Sequence, residues 1–155
     1  MSEIEIRRIR EDEGDAVAAL WDAVARAIPD GGPLTERGRR NIGRMLSASA
    51  WHHAAFCLVA VDDGAIVGFA NGRVDPGDGL LPSLAGEIEA VHVVPSHRHA
   101  GLGERLARAA IAHLRERDVW TIRNLVCAGD HDAQRFWARL GFEPDMVCLS
   151  LYRNG

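Results

Sequence analysis

The chain has 155 residues, of which 47% are hydrophobic and 26% charged, a balance typical of one soluble globular domain spanning residues 1–155. Its formal net charge of -4 argues against a general nucleic-acid binder. The sequence has no long uncharged apolar run, and the N-terminal MSEIEIRRIREDEGD lacks the apolar core of a signal peptide, so we expect a cytoplasmic protein without a membrane partner.

The first half of the chain alternates between patterns typical of strands and of amphipathic helices. Apolar residues recur at every second position in the strands and at helical spacing in the helices. The turn sequence DDG joins two apolar runs and predicts a β-hairpin, and Thr35 has the position of a helix N-cap. In chain order we expect a strand over 4–9, helices over 11–28 and 35–49, and hairpin strands over 56–61 and 65–74.

The second half opens with a Gly-, Pro- and Asp-rich segment over residues 75–86, a loop of a length that is often functional. The order of elements as a whole predicts an α/β (α+β) sheet covered by helices. In this half we expect a strand over 87–95, a helix over 101–114, a strand over 119–128, a short helix over 132–140 and a last strand over 146–153.

The three cysteines are scattered and form no Cys-x-x-Cys pair. Each lies in an apolar segment, so we expect Cys57, Cys127 and Cys148 to be small buried hydrophobes. His52 and His53 are adjacent but lack nearby acidic residues, which is poor support for a metal site. The sequence therefore predicts no metal.

The segment VVPSHRHAGLG, residues 93–103, joins a strand to a helix and carries two glycines one residue apart. The first N–H groups of a helix have no internal partner, and the helix dipole is positive there. Gly101 and Gly103 leave those groups uncovered, and Arg98 adds positive charge. The sequence predicts a turn that binds phosphate, with a helix start that merely contains convenient glycines as the alternative.

Two common phosphate-binding loops do not match this turn. A nucleoside-triphosphate loop needs Lys and then Ser or Thr after its last glycine, and neither follows Gly103. A dinucleotide-binding fold needs a third glycine, but Arg105 and Leu106 stand there. The chain has Arg-x-x-Gly-x-Gly after a strand that ends in Val-Pro.

The segment EIEAVHVVPSHRHAGLGERLARAAIAHL, residues 87–114, resembles the acyl-CoA-binding core of the GNAT superfamily of N-acyltransferases. Downstream, DHDAQRFWARLGF is similar to that family's Asn-x-x-Ala-x-x-aromatic-Tyr-x-x-x-Gly-Phe segment. The resemblance implies a mixed, mostly antiparallel sheet with helices on both faces and a splayed pair of parallel central strands. It also implies acetyl-CoA as cosubstrate and direct acetyl transfer to a primary amine of a small molecule or peptide.

The resemblance assigns the cofactor site to three parts of the chain. Main-chain groups of the strand would pair with the pantetheine arm, and a backbone N–H near Val93 would polarise the thioester carbonyl. The turn would bind the diphosphate through its backbone amides. The implied cofactor-binding residues are Val91, His92 and Val93 in the strand, Arg98, His99, Ala100, Gly101, Leu102, Gly103 and Glu104 in the turn, and Asp130, Ala133, Phe136 and Trp137 downstream.

Acyl transfer to an amine needs a base, because a primary amine is protonated at neutral pH. Glu87 and Glu89 lie two residues apart on a strand, so we expect them on one face. Several family members carry their base at the position of Glu87, whereas Glu89 is closer to the thioester. Both stay candidates, with solvent-facing glutamates as the alternative, and strict alternation puts His92 on the opposite face.

Two positions depart from the family's pattern. Trp137 stands where many members have a tyrosine that protonates the leaving thiolate, and an indole N–H is not an acid at neutral pH. Asp130 replaces a frequent asparagine and lacks its donor. These departures leave open an acyl-CoA-binding sensor or regulatory module without catalysis, and a nucleotide-phosphate binder of another fold is a third hypothesis.

The resemblance implies that the two N-terminal helices and the 75–86 loop shape the acceptor pocket. Acidic side chains there would attract a cationic amine, but arginines of the second helix would suit an acidic group equally well, so the acceptor stays open. The apolar last strand predicts a homodimer. The candidate acceptor-side residues are Asp22, Asp30, Glu36, Asp75, Asp78, Trp21, Trp51, Arg37, Arg39, Arg40 and Arg44.

Overall fold

The computed structural model describes residues 3–28, 31–75 and 84–153, and these fall into two compact units that divide after Leu125. Asp30 and Asp78 lie outside the described residues. The second unit holds α4 (His131–Arg139). The first unit holds β1 (Glu5–Arg8), α1 (Gly14–Ala27), α2 (Glu36–Ala48), β2 (Ala55–Asp62), β3 (Ala65–Asp75), β4 (Ala85–Val93), α3 (Leu102–Arg115) and β5 (Thr121–Arg123).

The five strands of the first unit form one sheet in the order β1-β2-β3-β4-β5. The first three pairings are antiparallel, and β4 pairs with β5 in parallel. The hairpin expected at DDG is present, and Asp63 and Gly64 have the positive φ angles, 48° and 80°, that a tight two-residue turn requires. The mixed, mostly antiparallel sheet is therefore confirmed, with β5 as its edge strand.

Helices cover both faces of this sheet. On one face, Trp21 of α1 stacks on Phe69 of β3, with ring centroids 5.3 Å apart. On the other face, a Cβ added at Gly68 would lie 3.0 Å from Leu106 Cδ1 of α3, so the glycine lets the helix approach the strand closely. Packing on both sides explains why β3 is so apolar. Within the described residues, no helix has the length and apolar character needed to cross a bilayer.

β4 contains a β-bulge at Glu89. The register on β3 shifts there, because Gly72 pairs with Ile88 whereas Asn71 pairs with Ala90. Glu89 is thus an inserted residue without a partner in the ladder. Such an insertion bends the strand and breaks the strict alternation of its side chains.

The bulge changes which residues of β4 share a face. His92 is paired with Phe69, and Glu87 is paired with Arg73. Residues 69 and 73 lie on one face of β3, and directly paired residues share a face. His92 therefore lies on the same face as Glu87, with its ring centroid 5.9 Å from that of Phe69. The expectation that His92 faces away from the glutamates is wrong, because the inserted Glu89 shifts the alternation of side chains between the two faces by one residue.

The strands expected near the C-terminus are shorter than predicted or not formed. β5 covers only part of the expected strand 119–128, and residues 146–153 form no strand. An apolar pattern alone does not make a strand, since the backbone also needs a neighbour for its hydrogen bonds.

The cysteines differ from one another in burial. Burial, together with the charge of Glu13, raises the pKa of Cys57 to about 12, as expected of an inert core thiol. The expectation that Cys127 and Cys148 are buried is wrong, since both are exposed. The reason is that each was assigned to a predicted strand that the structure does not form at its position.

Helix α3 carries a histidine, His113, that packs on the sheet and links stability to pH. Burial and the charges of Arg117 and Arg8 lower the pKa of His113, whose ring packs on Phe56, to about 4. His113 therefore binds a proton near pH 6.5 in the unfolded chain but only near pH 4 in the folded protein. The free energy of unfolding thus falls as the pH drops from about 6.5 to about 4. We expect a loss of about 1–2 kcal/mol after allowing for solvent screening.

Thermal unfolding of the wild type and of His113→Gln between pH 7 and pH 4.5 measures this effect. The variant should lose less stability over that interval, because its side chain does not titrate. Glu13, whose pKa its hydrogen bond with Arg7 lowers to about 2, acts below this interval. Equal slopes in the two proteins would contradict the assignment to His113.

Candidate functional site

α3 begins after a turn whose backbone twice adopts the left-handed conformation. A short 3₁₀ turn over Pro95–His97 follows β4, and His99 and Gly101 then have positive φ angles of 64° and 80°. A non-glycine residue at positive φ is uncommon, so the surrounding chain holds His99 in this conformation. Gly101 is the N-cap of α3, and a Cβ added there would meet no atom within 4 Å.

The turn presents a run of free backbone amides. Among the described residues, the N–H groups of residues 99–104 donate to no acceptor. The Arg98 N–H is engaged with Pro95 O at 3.3 Å, and the Arg105 N–H donates to Gly101 O at 3.0 Å. Free amides at a helix N-terminus, next to an open glycine, suit an anion. The predicted turn residues therefore come together in a turn whose free amides could bind an anion.

Two charged side chains of the turn, Arg98 and Glu104, make hydrogen bonds with other residues of the first unit. Arg98 Nε donates to Val93 O at 2.8 Å, so its guanidinium is partly committed to the strand. Glu104 would repel an anion, but its carboxylate accepts two hydrogen bonds from Arg108, at 2.8 and 3.0 Å. The amides, more than the side chains, make this turn suitable for an anion.

A histidine ties the turn to the β2–β3 hairpin. His97 Nε2 lies 2.8 Å from Asp62 Oδ2, and His97 Nδ1 lies 2.8 Å from Ser96 Oγ. Its ring is therefore engaged on both sides and holds the start of the turn in place.

β4 and β5 separate after a short parallel contact, as the splayed strands of the resemblance imply. They pair only from Ala85 to Glu87, and Nδ2 of Asn124, just past β5, donates to Ile88 O at 2.7 Å. Within the described residues, β4 has no strand neighbour on this edge beyond Glu87.

The open edge of β4 includes the predicted residues 91–93. The Val94 N–H donates to Val67 O on β3 at 2.9 Å. Because successive groups of an antiparallel strand point in opposite directions, the Val93 N–H points away from β3 toward the open edge. An extended ligand could pair with this edge as an added strand would.

Both predicted glutamates belong to one charged cluster on the face of the sheet that carries Phe69. Glu87 Oε2 accepts from Arg73 Nη2 at 3.0 Å and from Arg73 Nε at 3.3 Å. Glu89 Oε2 accepts from Asn71 Nδ2 at 3.0 Å, and Glu89 Oε1 lies 3.7 Å from Arg73 Nε. The side chains of Glu87 and Glu89 are 24% and 34% exposed, so a substrate can reach both carboxylates.

Two carboxylates of the cluster surround the guanidinium of Arg73, and the charge of Asp75 also acts on that group. His92 shares this face, and burial followed by the charge of Arg98 lowers the pKa of its ring. The imidazole is therefore neutral at neutral pH and adds no positive charge to the cluster. A carboxylate of the cluster could accept a hydrogen bond from an ammonium group.

The downstream residues form a separate arrangement in the second unit. Asp130 accepts from the Ala133 N–H at 3.0 Å and caps α4, a role that needs an acceptor and no donor. The aspartate thus serves in this cap as the family's asparagine would. Trp137 makes edge-on ring contacts with Phe136 and Phe142, with centroids 5.2 and 4.9 Å apart. Its indole packs within this unit.

Two acidic candidates on the acceptor side already have partners. Asp22 accepts from Arg26 Nε and from the Leu34 N–H, both at 2.8 Å, and these bonds lower its pKa. Glu36 accepts from Arg40 at 3.1 Å within α2. Both are thus structural contacts of the N-terminal helices.

The other acceptor-side candidates divide between the sheet and the surface. Trp21 packs on Phe69 and thus on the face that bears the charged cluster, whereas Trp51 is exposed beyond α2. Arg39 lies 3.9 Å from Asp22, at the limit of an ion pair. Within the described residues, no group of three or more His, Cys, Asp or Glu side chains could hold a metal ion.

Sequence reasoning missed Asn71, Arg73 and Asn124. Asn71 and Arg73 stand in the run AIVGFANGRV, where two polar residues interrupt an apolar strand. That interruption is the signal that could have found them, since a polar residue in a buried strand needs a partner. Asn124 has no such signal, because its partner is a backbone carbonyl 36 residues away.

The comparisons with known proteins agree with this geometry. Residues 21–142 match the Acetyltransferase (GNAT) family. A mycothiol acetyltransferase of Propionibacterium freudenreichii subsp. shermanii is 31% identical over 140 residues, which are 90% of this chain and 43% of the relative. One of Rhodococcus jostii (strain RHA1) is 30% identical over 145 residues, 91% of this chain and 46% of the relative. The chain thus spans less than half the length of these curated relatives.

Solved structures share the fold over nearly the whole chain. The aminoglycoside N-acetyltransferase AAC(6')-Iy in complex with CoA matches with a TM-score of 0.78 at 18% identity, covering 99% of this chain and 97% of that chain. An acetyltransferase of Trypanosoma brucei matches with a TM-score of 0.73 at 23% identity, covering 97% and 99%. Since the family match extends over well more than half of the sequence, this chain belongs to the acetyltransferase (GNAT) family.

Proposed function

We propose that the protein is an acetyl-CoA-dependent N-acetyltransferase that transfers the acetyl group directly to a primary amine. The observation that carries the proposal is the arrangement along β4. This strand holds two accessible carboxylates, then an open edge, and then leads into the turn of free amides. A thioester carrier bound along that edge would bring its acyl group next to the carboxylates.

In this mechanism the chain supplies positioning, charge stabilisation and proton transfer. The amides of residues 99–104 hold the diphosphate, and the edge at residues 91–93 aligns the pantetheine arm. The Val93 N–H, directed to the open edge, donates to the carbonyl oxygen as negative charge develops on it. Bound acetyl-CoA supplies the activated acetyl group. The ammonium group gives one proton to a carboxylate of the cluster and so gains its lone pair. A C–N bond then forms, the C–S bond breaks, and the second proton lost by the nitrogen passes to water.

The leaving thiolate takes its proton from water. The indole of Trp137 has no acidic proton to give, and a thiol with a pKa roughly like that of free cysteine is an adequate leaving group without help. That the downstream residues Asp130, Ala133, Phe136 and Trp137 take part in cofactor binding is kept as part of this proposal, on the resemblance of their segment to the family's pattern.

Release of free thiol tests the proposal. The purified protein is incubated with acetyl-CoA and one amine at a time, and the thiol is followed with a chromogenic reagent. The panel includes aminoglycosides and the substrate of mycothiol acetyltransferases, because proteins with those names resemble this chain. We expect turnover with at least one primary amine. Tight binding of acetyl-CoA without turnover on any amine class would contradict the proposal.

The second candidate function is an acyl-CoA-binding sensor or regulatory module without catalysis. The packing of Trp137 against Phe136 and Phe142, where the family often has an acidic tyrosine, favours it. This hypothesis predicts that coenzyme A binds equally well in Glu87→Gln and Glu89→Gln. It also predicts that the wild type shows no turnover.

Three further statements from the sequence stay predictions, namely a single domain over residues 1–155, a cytoplasmic location and a homodimer. The homodimer was expected through the last strand, and residues 146–153 form no strand. Exposed apolar side chains in this segment, including Leu149 and Leu151, still favour self-association. Light scattering should give the mass of a dimer, and a monomeric mass at all concentrations would dismiss it.

A further inference from the structure

Asn71 is a buried polar residue on an otherwise apolar stretch of β3. It is 3% exposed, and its Nδ2 donates to Glu89 Oε2 at 3.0 Å. Its Oδ1 is also buried and accepts no hydrogen bond from the described residues. A carboxylate can only accept, so Glu89 fixes which end of the amide faces it. The unpaired carbonyl oxygen is a cost to the fold, and folding alone gives no reason for an asparagine here.

The bulge makes this contact important for the direction of Glu89. Glu89 has no partner in the β3–β4 ladder, so strand pairing does not fix where its side chain lies. The hydrogen bond from Asn71 supplies that constraint. A carboxylate held by one donor keeps three of its lone-pair positions for other groups.

Arg73 lies closer to the carboxylate of Glu87 than to that of Glu89. It gives two hydrogen bonds to Glu87, at 3.0 and 3.3 Å, but approaches Glu89 no closer than 3.7 Å. Glu87 is therefore engaged as the partner of the guanidinium. Among the residues that the structure describes, only Asn71 donates a hydrogen bond to Glu89, so this carboxylate keeps accepting capacity, and its side chain is also the more exposed of the two.

We propose that Asn71 is a positioning residue that holds Glu89 as the proton acceptor for the substrate amine, while Arg73 keeps Glu87 as its own charge partner. This inference rests on the proposed N-acetyltransferase function and names its base. The bound ammonium group first gives one proton to Glu89, which frees the nitrogen lone pair. The C–N bond then forms, the C–S bond breaks, the thiolate leaves with the electron pair of the C–S bond, and the second proton lost by the nitrogen passes to water.

Replacing Asn71 by leucine, which has a similar shape, tests the role. Asn71→Leu should lower kcat/KM for the amine about tenfold to a hundredfold, because a misdirected base loses its alignment with the reacting nitrogen. The dissociation constant for coenzyme A should change less than twofold. The melting temperature should stay at or above that of the wild type, since the unpaired buried oxygen is gone. A residue kept for stability alone would lower the melting temperature.

A second measurement does not depend on turnover. The side-chain amide signals of Asn71 in a ¹⁵N–¹H spectrum are assigned by their loss in Asn71→Leu and compared in Glu89→Ala and Glu87→Ala. We expect Glu89→Ala to move them strongly and Glu87→Ala to move them little. If the Asn71 amide signals do not shift in Glu89→Ala, the positioning role is overturned.

The two measurements also separate this inference from the proposed function. Full activity in Asn71→Leu would overturn the positioning role while leaving the N-acetyltransferase proposal intact. A wild-type protein without turnover on any amine would refute the N-acetyltransferase proposal, and the base assignment to Glu89 with it.

Discussion

Gly101→Glu is expected to abolish coenzyme A binding. Gly101 lies between the free amides of the turn, and open space surrounds the point where its Cβ would stand. A glutamate there would put a carboxylate where the diphosphate is expected. Close contact between like charges costs several kcal/mol, so the dissociation constant should rise about a hundredfold or more.

Two control variants separate charge from backbone strain, and isothermal titration with coenzyme A measures all three. Gly101 has a φ angle of 80°, so any side chain strains it, and Gly101→Ala carries that strain without the charge. Gly64 has the same φ angle and the same open space in the β2–β3 turn, so Gly64→Glu carries strain and charge away from the site. We expect Gly101→Ala to weaken binding less than about tenfold and Gly64→Glu to bind normally. Unchanged affinity in Gly101→Glu would refute the position of the diphosphate.

Features that depend on a few neighbouring residues could be predicted from the sequence. Thr35 caps α2 by accepting from the Gly38 N–H at 3.0 Å, as its position before the helical pattern indicates. The DDG turn and the glycine at the start of α3 likewise follow from backbone preferences at single positions. The turn of free amides was predictable because the physics of a helix N-terminus is local.

The features that could not be predicted from the sequence depend on partners that lie far apart along the chain. The bulge at Glu89 arises from the match between two strands, and no pattern within β4 marks it. That insertion moved His92 to the other face and gave the two glutamates different surroundings. The roles of Asn71 and Arg73 followed only when β3 was paired with β4 in the observed register. The apolar run 146–153 illustrates the converse, because its pattern predicted a strand that the structure does not form.

Glu89→Gln is expected to lower kcat about a hundredfold to ten-thousandfold, the usual effect of removing a general base, with little change in coenzyme A affinity. Glu87→Gln is the matched control, because it makes the same chemical change two residues away on the same cluster. We expect it to lower kcat less than about tenfold, since Glu87 is engaged by two hydrogen bonds from Arg73 and Glu89 is not.

Steady-state kinetics with a saturating amine, at several pH values, measures both variants and distinguishes the two carboxylates. A base that accepts the amine proton gives the wild type an acidic limb in its pH–rate profile, and this limb should disappear in Glu89→Gln and persist in Glu87→Gln. The reverse result would assign the base to Glu87 and would remove the reason for Asn71 to direct the bulged residue. Equal, small losses in both variants would mean that the amine is deprotonated in solution before it binds, so that neither carboxylate acts as the base.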